Sequence, residues 1–200
     1  MENYKNAYVT LAIMALNVLM FIEQFFFGDG LLEFGAMITA RVIGDHEFYR
    51  IITSTFLHIG AQHLISNMLM LLVVGSLIEN YMGHGLYAIM YIACGIAGNV
   101  ASMIYEIARN VQYLSAGASG AIMGIVGYML IWFIVNREMF KNNKSLLVRL
   151  VFLGIFLIEA CFFQKGANTM AHLGGLITGM IFGLFNIIVF KNQKGMEGVQ

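Results

Sequence analysis

The chain has 200 residues, 60% hydrophobic and only 11% charged, with a mean hydropathy of +0.79 and a formal net charge of zero. A soluble domain carries about 25% charged residues, so this composition excludes a water-covered globule, and the neutral balance gives no footing for nucleic acid. It points to a polytopic membrane protein.

The apolar run over residues 7–27 is too long for a signal-peptide core, has a weak basic flank and lacks a clear small-residue cleavage site, so it reads as a first membrane span. Residues 28–61 form a long first loop that carries Phe34, Met37, Ile38, Val42, Ile43, Phe48 and Tyr49. Loops of this length are functional or disordered, and the scattered apolar residues predict that this one packs against the outer edge of the membrane. Further spans are expected over 62–82, 85–107, 119–135, 146–163 and 171–190, all within the ~17–25 residues that cross a bilayer. The fold class is thus all-α, a six-transmembrane-helix bundle, with residues 1–200 as one membrane domain without internal repeat or linker. Cys94 and Cys161 lie inside apolar runs and read as small buried residues, not as a disulfide or metal framework.

An even number of spans puts both termini on one side. Termini inside gives inner Lys5, Arg137, Lys141, Lys144, Arg149, Lys191 and Lys194 against outer Arg41, Arg50, Arg109 and Lys165. Seven against four favours cytoplasmic termini. The second, fourth and sixth spans then all begin on the outer side, and their first turns carry the unusual polar residues: His63 and Asn67, Ser119, and His172. Polar groups at such depth face a cavity or each other.

His63 and Asn67 are four apart and share a helix face. Gly120, Gly124 and Gly127 make a small-residue stripe on the fourth span, and Gly175, Gly179 and Gly183 make another on the sixth, on the face of His172. Small faces let helices approach closely in lipid, so packing the two stripes brings Ser119 towards His172. A serine hydroxyl becomes nucleophilic when a neighbouring base takes its proton, and neutral imidazole suits that role near pH 7. His63, Asn67 and the Ser119 backbone N–H are the available donors for an oxyanion; Ser119 also sits at a helix N-terminus, which favours developing negative charge. Glu159 has no spacing that ties it to His172, so the expectation is a Ser–His dyad. No metal or organic cofactor is needed for it.

Each residue also has a plainer reading. Ser119 alone is a small packing residue, His172 alone a hydrogen-bonded core histidine, and Arg50 a headgroup anchor or a link within the first loop, weakly directed to the Glu79 helix. His58 reads as a supporting histidine, His84 as a solvated turn residue, and Glu23, Glu106 and Glu159 as span-end groups reaching water. The conjunction of Ser119, His172, His63 and Asn67 at one membrane level is what outweighs these.

The motifs resemble those of the rhomboid intramembrane serine proteases. Gly117-Ala118-Ser119-Gly120 is similar to their GxSG, and His58-x₄-His63-x₃-Asn67 to their second-helix motif. Ala171-His172-Leu173-Gly174-Gly175 is similar to their AHxxG, Tyr49-Arg50 to their loop Trp-Arg, and Glu79-x₃-Gly83 to an element at the inner end of the second helix. The resemblance implies a water-filled pocket open to the outside, Ser119 as nucleophile, His172 as base, His63 and Asn67 around the oxyanion, and His58, Gly117, Gly120, Met123, Arg50 and Glu79 in support. It implies a partly embedded first loop, single-span membrane proteins as substrates and the lipid bilayer as surroundings, with a bacterial plasma membrane as the expected location. Two positions depart from the family pattern: Met123 stands where an aromatic often follows the serine by four, and Asn168-Thr169 where Asp-Asn often precedes Ala-His. The rival functions are a catalytically silent rhomboid-like protein that binds transmembrane segments, and a small-solute transporter.

Overall fold

The computed structural model describes residues 6–137, 148, 151–152, 154–155 and 166–190. The span expected over 146–163 falls largely outside the described residues, and so do Glu159, Cys161, Lys5, Lys141, Lys144, Arg149, Lys165, Lys191 and Lys194.

The other five spans are helices: α1 (Tyr8–Phe27), α5 (Ala61–Met82), α6 (His84–Arg109), α7 (Ser119–Val135) and α8 (Thr169–Val189). Four of them are long and apolar enough to cross a membrane, and α7 is shorter, with 17 residues. At 1.5 Å per residue α7 is about 26 Å long, less than the ~30 Å hydrocarbon thickness. Its apolar character runs all round, as expected of a helix enclosed by others, and nearly every residue from Gly120 to Phe133 is buried. Ser119, at the N-terminus of this short helix, lines a cavity between the helices.

The packing of α7 on α8 follows from the two glycine stripes. A Cβ on Gly175 would stand 1.9 Å from the Gly120 carbonyl oxygen, and one on Gly179 1.8 Å from that of Gly124. No side chain fits there, so the two backbones run in contact. Gly98 brings α6 close as well, though less so: its Cβ would be 2.6 Å from the Ala171 oxygen.

The first loop is not irregular. It folds into α2 (Gly30–Gly35), β1 (Met37–Ile38), α3 (Thr39–Gly44), α4 (Arg50–Thr53) and a 3-10 turn (Ser54–Phe56). Arg50, only 1% exposed, organises it by donating to Glu47 Oε2 at 2.5 Å and to the carbonyls of Glu33 at 2.9 Å and Ala36 at 2.8 Å. Phe34 stacks on Tyr49 with 5.0 Å between ring centroids, and Phe34, Ile43 and Phe48 remain exposed. The loop therefore packs on itself and presents an apolar surface.

The Arg50 bonds all stay within the loop, which corrects the suggested link to the Glu79 helix. Glu79 sits at the opposite end of α5, some 16 residues or about 24 Å along the helix from His63. There it accepts from the Val9 and Thr10 N–H groups at 2.9 and 2.8 Å and lies 2.6 Å from His84 Nδ1. It thus satisfies the free donors at the start of α1, and His84, read as solvated, is half-exposed and paired. Glu106 is also corrected. It does not reach water but is 1% exposed, with both carboxylate oxygens bonded.

Candidate active site

Three helix starts converge. The chain enters α7 from a two-residue strand, β2 (Leu114–Ser115), which pairs antiparallel with β1. Gly117 then donates its N–H to the Ser54 carbonyl at 2.9 Å. It has φ +153°, and a Cβ there would be 2.5 Å from His63 Cε1. Only glycine turns the chain here while leaving room for the imidazole. Two residues later Ser119 opens α7.

Ser119 Oγ lies 2.9 Å from Nε2 of His172, in the first turns of α8. This is within the range of a hydrogen bond to a base. His172 is buried, and its Nδ1 has no hydrogen-bond partner, so among the described residues no carboxylate orients the ring. A hydroxyl donating to Nε2 requires the proton of the neutral ring to sit on Nδ1.

His63 lies against Gly117 and lines the same cavity as Ser119 and His172. Asn67, one turn further on, is buried with its amide nitrogen unpartnered. It is not among the residues that line the cavity, and an unspent buried donor is unusual enough in a folded protein to call for an explanation. His58 meets His63 edge-on at 5.1 Å between centroids. Burial, helped by the nearby His63, pushes the His58 imidazole down to about 3, so it is neutral. Its backbone is held by Gln24 of α1, whose side chain donates to the His58 carbonyl at 3.1 Å.

The cavity has a volume of about 900 Å³ and is walled further by Thr55, Ile59, Tyr105, Tyr113 and Leu114. This is within the size that holds a ligand or a short stretch of extended chain. Gly120 lines it; Met123 is buried on α7 one turn below. Arg50 and Glu79 do not reach it. Two further polar residues emerge only in three dimensions. Asn99 of α6 donates to Ile51 O at 2.8 Å and Ser54 Oγ at 2.9 Å, fixing the end of the first loop. Asn168 caps α8, accepting from Ala171 N–H at 3.1 Å; an Asn just ahead of an apolar helix is a recognisable N-cap signal.

A family model described as Rhomboid domain matches residues 45–188. The chain belongs to the rhomboid family. It is 34% identical over 175 residues to rhomboid protease GluP of Bacillus subtilis (strain 168), a match over 85% of this chain and 33% of GluP. It is 31% identical over 163 residues to RHOMBOID-like protein 1 of Arabidopsis thaliana, covering 82% of this chain and 40% of that protein. RHOMBOID-like protein 6, mitochondrial, of the same plant is 30% identical over 165 residues, covering 82% and 52%. The chain thus spans a third to about half of the length of these relatives. Family membership together with the apolar helices makes it an integral membrane protein of the all-α rhomboid bundle.

Proposed function

We propose that this rhomboid is an intramembrane serine endopeptidase that cuts single-span membrane proteins in or near the span. The observation that carries the reading is the 2.9 Å contact of Ser119 Oγ with His172 Nε2 at the edge of the cavity.

The reaction runs as follows. His172 Nε2 takes the Ser119 proton as Oγ attacks the substrate carbonyl carbon. The resulting oxyanion is met by the Ser119 N–H, His63 and the Asn67 amide; each such donor is worth on the order of 10²–10³ in rate. The imidazolium returns its proton to the leaving amine as the C–N bond breaks, leaving an acyl ester on Ser119. Water, deprotonated by His172, then attacks the ester, and the proton returns to Ser119. The start of the short α7 keeps this chemistry below the membrane surface yet beside a cavity that water can fill. A substrate must unwind locally to offer its carbonyl there, since a helical peptide bond is hidden by its own turn. We place the termini in the cytoplasm and the cavity mouth on the outer side from the basic residues, take a bacterial plasma membrane as the location from the minimal six-span form, and treat the chain as one membrane domain.

Purified protein in liposomes with a single-span reporter tests this. Scission of the reporter that disappears in Ser119→Ala and in His172→Ala is expected; an intact reporter, or equal cleavage by Ser119→Ala, contradicts it.

A further inference from the structure

Asn168 stands where three elements of the site meet. Its Oδ1 closes the first turn of α8, and its backbone carbonyl accepts from the His172 N–H at 3.0 Å. Its Nδ2 has two hydrogens to give, and both are given: to Ser115 Oγ in β2 at 2.8 Å and to Ser102 Oγ on α6 at 2.6 Å. Ser102 in turn donates to Glu106 Oε1 at 2.9 Å, while Glu106 Oε2 accepts from the Tyr113 N–H at 3.3 Å. Ser115 is four residues before Ser119, and Asn168 four before His172. One amide therefore joins the segment that delivers the hydroxyl to the helix that delivers the imidazole, and ties both to a buried carboxylate on α6.

We propose that Asn168 is a positioning residue that holds the Ser119 and His172 segments in register, acting through its two donated hydrogen bonds and not only through its helix cap; this rests on the Ser–His reading of the site. Besides Asn168, the segment ahead of Ser119 is held by bonds from the backbone N–H groups of Gly117 to Ser54 and of Val111 and Tyr113 to Glu106. Its strand pairing with β1 spans two residues, and it continues through a glycine. The chemistry of the amide is specific. Ser102 has committed its only hydrogen to Glu106, so towards residue 168 it can only accept. An ionised carboxylate at 168, the residue the family pattern often has there, would still cap α8 and could accept from the Ser115 hydroxyl, but it would have no hydrogen for Ser102 and would add a second anion one hydroxyl away from Glu106.

Ser115, which takes no part in the cap, separates the tether from a plain cap. In detergent with a transmembrane reporter, Asn168→Ala is expected to lower kcat roughly 10- to 100-fold, as a small misplacement of reacting groups does, with KM changed by less than about twofold, and Asn168→Asp, which keeps a partner for Ser115, should lose less. Ser115→Ala should act in the same direction, and the double Asn168→Ala/Ser115→Ala should be no worse than the poorer single variant, as expected for one shared interaction. Wild-type kcat in Asn168→Ala or in Ser115→Ala, or losses that multiply in the double, overturns the tether while leaving the dyad standing. Hydrogen exchange needs no turnover: Asn168→Ala should raise exchange over residues 111–120, whereas a change confined to 168–173 leaves only a cap. If wild-type protein cleaves nothing, the dyad reading fails, and exchange alone decides the tether.

Discussion

The Cβ that Gly117 lacks would stand 2.5 Å from Cε1 of His63. Two elements remote in sequence thus share one pocket of space, and the left-handed φ of +153° at Gly117 compounds the demand for glycine. Gly117→Ala should displace His63 and lower the rate of Ser119 acylation by about 10²-fold, the usual consequence of disturbing an oxyanion donor or a reacting geometry. Single-turnover rates with an activated ester check this; an unchanged rate would remove His63 from the site.

Asn67 carries a buried amide nitrogen without a partner in the resting protein. Its removal costs the fold no hydrogen bond from that atom, so Asn67→Ala should leave the unfolding temperature nearly unchanged. The rate of peptide cleavage should nevertheless fall by about 10²–10³ if the amide meets the oxyanion. Parallel measurement of unfolding and kcat distinguishes the two, and an unaltered kcat would exclude the residue from the mechanism.

His58 gives the protein a pH dependence with a definite sign. Burial lowers it from 6.5 to about 3 in the folded chain, so between those values the unfolded state binds a proton that the folded state refuses. Stability is therefore full above about 6.5 and falls as the pH drops towards 3, by at most about 1.4 kcal/mol per pH unit for this one group. Thermal unfolding of wild type and His58→Gln between about pH 7.5 and about pH 4.5 reads the effect. The wild-type Tm should drop more steeply; parallel slopes would contradict a neutral buried His58.

Five of the six expected spans, and the meeting of Ser119, His63 and His172, are legible in the sequence because both rest on spacing. Long apolar runs give the helices, and glycines at every third or fourth position on two of them allow the backbone contact that brings a hydroxyl to an imidazole. The first loop was legible only as a packed segment. Its helices of four to six residues are too short to hold by propensity and depend on Arg50, whose carbonyl partners lie 14 and 17 residues away. Glu106 looked like a span-end group because nothing in one dimension reveals Ser102 and Tyr113 folded over it. Asn168 registered only as a departure from a motif, since its value lies in bonds to Ser102 and Ser115, 66 and 53 residues distant.

A fluorophosphonate tests the central claim most directly, because it reports an activated serine without any knowledge of the substrate. With the protein in lipid or detergent, the account predicts that the reagent modifies Ser119, located by mass spectrometry, and that His172→Ala abolishes the labelling. Modification of a different serine with Ser119 untouched, or undiminished labelling without His172, would contradict it.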